Sequence, residues 1–197
     1  MQKINHQVIE AYKQRRAQNV FSVNPAYTMD FDLREPKQLL RYNAQTEQRL
    51  AHETYLQAYR SMIPPFQRDN NKWTREQQIR FVENVCAGFR TTLMLYTLKE
   101  DEGLYEQVQI LDGLQRLTAI LAFIENEFPI FGEFYFRDID ARLALGTVRP
   151  QVRIYTFETE ADAVQFYIEM NRDITHSADD IRRAEQYLST LNHHVPT

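Results

Sequence analysis

Among its 197 residues the chain has a single cysteine, Cys86, with only five glycines and seven prolines. One thiol excludes an internal disulfide framework and any zinc site built on several cysteines. So little glycine and proline excludes collagen-like and linker-like chains. No apolar run is longer than a handful of residues, so no segment reads as a bilayer-spanning helix. The opening stretch MQKINHQVIEAYKQRR lacks the continuous apolar core of a secretory signal. A basic surplus is missing as well: 23 Lys and Arg stand against 27 Asp and Glu, a net charge of −4. That balance argues against a protein that coats nucleic acid non-specifically. The expectation is a soluble protein of a reducing cytoplasm, with no membrane partner, and large enough to bury a core of its own.

Two parts are expected. Residues 1–60 read as a helical N-terminal extension and residues 61–197 as the main domain. In the extension, Ile4, Val8 and Tyr12 recur on one helical face. A second helix is expected over Lys37–Arg60, and Asn24, Pro25 and the Phe31–Pro36 segment read as turns or extended chain. From Ser61 the texture changes. The Ile63-Pro64-Pro65-Phe66 run cannot be helix interior. Thr74 can cap a helix that ends at Gly88. Thr92–Leu98 and Glu106–Leu111 read as buried strands. Leu114–Glu125 reads as a helix with the stripe Leu114, Leu117, Ile120, Leu121 and Ile124. A short helix is expected at Asp138–Leu145 and a strand around Val152–Phe157. Two further helices open with the caps Thr159/Asp162 and Ser177/Asp180. Interleaved helices and strands give an α+β (mixed α/β) class, with a small sheet and packed helices.

The stretch Ile110-Leu111-Asp112-Gly113-Leu114-Gln115-Arg116-Leu117-Thr118 carries the strongest chemical signal. A buried strand ends at Asp-Gly and enters a helix at once. The first helical turn leaves N–H groups unpaired and carries partial positive charge. A phosphate can rest there, Gly113 permits close approach, and Arg116 adds a forked cation. Asp112 could hold Mg²⁺ or orient a water. The same residues have an ordinary explanation: Asp112 with Gln115 spaces as a capping box, and Asp112 with Arg116 as a helical ion pair. No Walker motif is present.

Gln67 and Arg68 follow the Pro-Pro-Phe segment and are free to point at a ligand. Glu169, Asn171 and Arg172 end a helix and read equally as exposed polar groups or as a metal and phosphate site. The five histidines show no ligand spacing. Cys86 lies on an apolar helix face, which suits a buried thiol rather than a nucleophile. Lys13, Arg15 and Arg16 form a local basic patch whose ordinary explanation is a solvated helix face.

Three segments together, Ile63-Pro64-Pro65-Phe66-Gln67-Arg68, then Trp73 with its helix, then Leu111–Thr118, resemble the N-terminal domain of GmrSD-type restriction systems, in the ParB/sulfiredoxin-like superfamily. Phe136-Arg137-Asp138, Asn171 and Asp180-Ile181-Arg182 also fit, so the resemblance spans about Met62–Glu185. It implies a nucleotide-binding domain that binds, and often hydrolyses, a nucleoside triphosphate with a divalent metal, in biology concerned with restriction of modified DNA or with phage. It implies Gln67, Arg68, Asp112, Gly113, Gln115, Arg116, Asn171 and Arg172 as nucleotide contacts. Asp112 and Arg116 would be the catalytic pair, and Asp112, Glu169 and Asn171 the Mg²⁺ set. Leu114 departs from the family pattern, which usually has a second Gln there. No His-Asn-His-type nuclease motif occurs in these residues, so DNA cleavage would need a separate nuclease partner.

Two functions follow as expectations. One is an Mg²⁺-assisted nucleotide-binding domain acting as NTPase or switch, with a phosphotransferase as its close variant. The other is a non-catalytic DNA-binding or adaptor protein using the arm at Lys13, Arg15 and Arg16. The N-terminal helices are candidate elements of a homo-oligomer, and a bacterial or virus-infected bacterial cell is the expected setting.

Overall fold

The computed structural model describes residues 6–67, 73–99, 107–139, 149–172 and 178–192. Four strands, β1 (Tyr27–Asp30), β2 (Thr92–Leu98), β3 (Gln109–Asp112) and β4 (Gln151–Phe157), form one sheet in the order β1-β4-β2-β3. The central pair β2 and β4 runs parallel, with Leu93 beside Val152 and Leu95 beside Ile154. The outer strands are antiparallel to them.

The apolar residues of β2 and β4 face both ways, as central strands covered on two sides require. On one face Leu93, Leu95, Ile110, Val152 and Ile154 pack with Leu114, Leu117, Ile120, Leu121 and Ile124 of α6 (Leu114–Ile124) and with Val85 of α5 (Arg75–Cys86). On the other, Tyr96, Leu111, Tyr155 and Phe157 meet α7 (Glu160–Asn171) through Ala163, Val164, Phe166 and Tyr167, with Ala184 of α8 (Ala178–Asn192) beyond. The back of α6 is covered too: Ala119, Ala122 and Phe123 pack with Val82, Phe128 and Ile130. The expected stripe is therefore one half of a helix buried nearly all round.

Residues 27–60 join this core. They supply strand β1 together with buried Phe31, Leu33, Leu39, Leu40 and Tyr59, so packing is continuous across the boundary drawn after residue 60. The expected Lys37–Arg60 helix is instead three short ones, α2 (Pro36–Leu40), α3 (Ala44–Arg49) and α4 (Tyr55–Ala58), followed by a 3-10 turn at Tyr59–Met62. Polar residues make the breaks. The Asn43 side chain accepts from Thr46 N at 3.0 Å, starting a new helix, and donates to the Val108 carbonyl at 3.1 Å. Thr54 N donates to the Gln57 side chain and starts the next. These local bonds outweigh the helical periodicity that Gln, Leu and Ala suggested. Ahead of β1, α1 (His6–Ala17) is exposed from Glu10 onward, with Tyr12 64% exposed rather than on a packed face. Ile4 and the side chain of Val8 lie outside the described residues.

Other expectations meet the structure closely. Thr74 with Gln77, and Thr159 with Asp162, form capping boxes. Gly88 ends α5 with φ +105°. The strand expected at Glu106–Leu111 is found at Gln109–Asp112. In place of the helix expected at Asp138–Leu145, a 3-10 turn covers Phe136–Asp138, and 140–148 lie outside the described residues. So does the Ser177/Asp180 cap.

Candidate functional site

Strand β3 ends irregularly. Ile110 pairs with Leu95 and Asp112 with Met94, so Leu111 is an extra residue, a β-bulge on an edge strand. Buried Gln67 completes the bulge: its amide nitrogen donates to the carbonyls of Ile110 at 3.2 Å and Leu111 at 2.7 Å. The Gln67 backbone carbonyl accepts from Arg183 of α8 at 3.3 Å. Its side-chain nitrogen thus holds the Pro-Pro-Phe segment against β3. Phe66 lies beside it in the aromatic layer, 5.3 Å between centroids from Tyr167.

Immediately after the bulge comes Gly113, at φ +99°, and α6 starts on the next residue. Two constraints select glycine here. The left-handed backbone disfavours any side chain, and a Cβ would stand 2.8 Å from Leu93 Cδ2. No described side chain caps α6, and the Asp112–Gln115 capping box does not form. The reason is geometric: the N-cap position is Gly113 in the left-handed region, not Asp112 in the extended backbone that lets a cap reach the N3 amide. Gln115 is buried, and its side-chain oxygen accepts from Trp73 N at 3.3 Å.

The Asp112–Arg116 ion pair does form, through Arg116 Nη2. Arg116 Nη1 also donates to the Thr92 carbonyl at 2.8 Å and to Thr91 Oγ1 at 3.4 Å. Both charged side chains keep about a quarter of their surface open, at 26% and 27%. Sequence reasoning missed Thr91 and Thr92. Their signal is tertiary, because β2 and β3 must pair before the start of one lies beside the end of the other.

The remaining expected site residues have other hydrogen-bond and ion-pair partners or lie outside the described residues. Arg68 is among the latter. Asn171 is buried and donates to the Tyr167 carbonyl at 2.8 Å, one turn back on α7. Glu169 accepts from Gln165 at 3.0 Å and pairs with Arg172 at 3.1 Å, and Arg172 reaches Glu185 of α8 at 3.9 Å. Among the described residues no hydrogen bond or ion pair joins Glu169, Asn171 or Arg172 to Asp112 or Arg116, and no group of three His, Cys, Asp or Glu side chains could hold a metal. Asp112 alone still suits Mg²⁺, which is commonly held by one or two carboxylates together with substrate phosphates. Cys86 is a poor nucleophile, since burial, and then nearby Glu83, push its thiol up to about 11.

The chain is thus a mixed α+β domain whose edge strand bulges into a glycine-gated helix start flanked by an acid and an arginine. It belongs to the family described as GmrSD restriction endonuclease, N-terminal domain, whose model matches residues 52–193. No curated protein and no solved structure matches it. Among the described residues no helix is long and apolar enough to cross a membrane.

Proposed function

We propose that this domain binds a nucleoside triphosphate with Mg²⁺ at the Asp112–Arg116 turn, and hydrolyses it or uses it as a switch within a restriction system. The observation that supports this reading is the Gly113 turn. It delivers a buried strand into a helix start that no described side chain caps, with a part-exposed arginine one turn along. Phosphate oxygens resting there would meet backbone N–H groups and the α6 dipole. Arg116 would turn from Asp112 to the phosphates, and the released carboxylate would become a ligand of Mg²⁺. The ion supplies charge neutralisation on the phosphates. Hydrolysis passes the terminal phosphoryl group to water, giving the diphosphate and inorganic phosphate, and rests chiefly on positioning. The same site with a different acceptor would be a phosphotransferase.

Thermal melts of wild type and Arg116→Ala with ATP, GTP, CTP and UTP, each with and without Mg²⁺, test the proposal. A ligand at a hundredfold excess over its Kd stabilises the folded state by about 2.7 kcal/mol. The expected outcome is an Mg²⁺-dependent shift in wild type that is lost in the variant. Equal shifts in both proteins, or none in either, overturn it.

A second reading is a non-catalytic DNA-binding or adaptor protein, and two observations favour it. Leu114 is buried in the core where the family pattern leads one to expect a polar side chain. Exposed α1 presents Arg15 and Arg16, with Lys13 paired to Glu10 at 2.8 Å. Steeply salt-dependent DNA binding, abolished by deleting residues 1–20, is the expected result if this reading holds. Salt-insensitive or absent binding removes it.

A further inference from the structure

Beside the Arg116 anchor lies a cavity of 620 Å³ at the end of the sheet where β2 and β4 begin and β1 ends. That volume is in the range of small-ligand sites, about 300–1,000 Å³. Its lining is mostly polar and comes from distant parts of the chain: Asp30 from the end of β1, Phe89, Arg90 and Thr91 between α5 and β2, and Arg149 and Gln151 at the start of β4. The backbone around it is pinned. Gly88 turns the chain after α5, Phe89 N donates to the Asn84 carbonyl at 2.8 Å, and Gln151 N donates to the Thr91 carbonyl at 2.9 Å.

Three features of the lining are unexplained by folding. Phe89 leaves 59% of its surface exposed, on a fixed loop at the mouth of a polar cavity. Arg90 is exposed and makes no hydrogen bond or ion pair with any described residue. Arg149 is held only loosely, 3.8 Å from Asp32, with 45% of its side chain exposed. Arg90 and Arg149 face Asp30 in the lining, and Asp32 behind Arg149 is already paired with Arg34 at 2.5 Å, so the cavity keeps a net positive charge that favours a ligand carrying negative charge. An exposed aromatic ring beside them adds a flat surface on which a base can stack. Thr91 belongs both to this cavity and to the Arg116 anchor. Phe89 is two residues from Thr91, so their Cα atoms are at most about 7 Å apart.

We infer that this cavity takes the base and sugar of a nucleotide whose phosphates lie at the Gly113–Arg116 turn, with Phe89 as the stacking platform. The inference rests on the nucleotide reading above and deepens it. Arg90, next to Thr91 on the path between the two sites, meets the phosphate nearest the sugar. Asp30 and the Gln151 amide face the groups that distinguish one base or sugar from another. Gln151 has one side-chain atom committed, since its oxygen accepts from Arg153 at 2.8 Å. Arg149 closes the far wall.

Titration calorimetry with the full chain and Mg²⁺ tests this. Inorganic tripolyphosphate, which has no base, is compared with ATP, GTP, CTP and UTP, on wild type, Phe89→Ala, Arg149→Ala and Arg116→Ala. In wild type at least one nucleotide should bind about tenfold or more tighter than tripolyphosphate. Phe89→Ala should erase that advantage while leaving tripolyphosphate binding unchanged, Arg149→Ala should reduce it, and Arg116→Ala should weaken both ligands. If Arg116→Ala weakens both but Phe89→Ala and Arg149→Ala keep the wild-type ratio, the base site is wrong and the phosphate site stands. If Arg116→Ala changes neither, or wild type binds neither, the phosphate reading fails and the inference falls with it.

Discussion

The side-chain nitrogen of Gln67 lies 2.7 Å from the carbonyl of Leu111, the extra residue of the β3 bulge, and 3.2 Å from that of Ile110. A single amide therefore ties the loop after the double proline to the strand that carries Asp112. Gln67→Leu removes the donor and leaves two buried carbonyls short of a partner, so it should destabilise the fold by about 1–3 kcal/mol. Urea denaturation is the measurement, and an unchanged midpoint would contradict this structural role.

Gly113 and Gly88 should respond differently to alanine. Gly113→Ala combines a disfavoured φ of +99° with a Cβ 2.8 Å from Leu93 Cδ2. It should destabilise by about 2 kcal/mol or more. Gly88→Ala meets the same backbone penalty at φ +105° with open space around its Cβ, for about 1 kcal/mol. Paired thermal melts giving equal losses would argue against the Leu93 contact.

Asp32 should make the fold acid-sensitive. Its hydrogen bonds with Arg34, from the side chain at 2.5 Å and the backbone at 3.0 Å, outweigh desolvation and hold its carboxyl at about 2. Because the folded value lies below the unfolded one, the stabilisation is complete above the unfolded value and is lost as pH falls from about 4 towards 2. For a part-exposed pair about 1 kcal/mol is expected. Melts of wild type and Asp32→Asn should differ by that amount at pH 7 and converge near pH 2.

Cys86 should react slowly with thiol reagents while the protein is folded. Raising its thiol to about 11 lowers the thiolate fraction at pH 8 by about a hundredfold relative to an ordinary cysteine. Labelling followed by absorbance should be slow in buffer and fast in denaturant. Equal rates would show that the α5 face opens readily.

Alanine at Tyr12, Arg15 and Arg16 together should leave stability unchanged to within about 0.5 kcal/mol, since these side chains of α1 are exposed. The chain becomes structural a few residues later, where Phe21 packs edge-on against Phe166 at 5.2 Å. A deletion reaching Leu33 removes β1 and two fully buried side chains and should unfold the protein. Circular dichroism of the triple variant and of the truncation checks both outcomes.

Sequence reading was strongest where a signal is local. Thr74 and Thr159 announced their helices because a capping box involves only four consecutive residues. Thr92–Leu98 declared itself a buried strand through its apolar run. The same reasoning went astray at Lys37–Arg60, where helical composition hid the breaks at Asn43 and Thr54. Of the two readings open at Asp112, a left-handed Gly113 removes the capping one.

The amino-acid sequence by itself determined the class of the fold, the strand–glycine–helix turn and the family, because each is read from short local patterns and their order along the chain. Tertiary structure decided what those residues touch. Gln67 bonds a strand 43 residues away, Arg116 is anchored by Thr92 across the sheet, and Phe31 and Tyr59 enter the same core as Leu93. It also placed Phe89, Arg90 and Arg149 around one cavity. Such contacts depend on strand order and on a one-residue bulge, which no local pattern encodes.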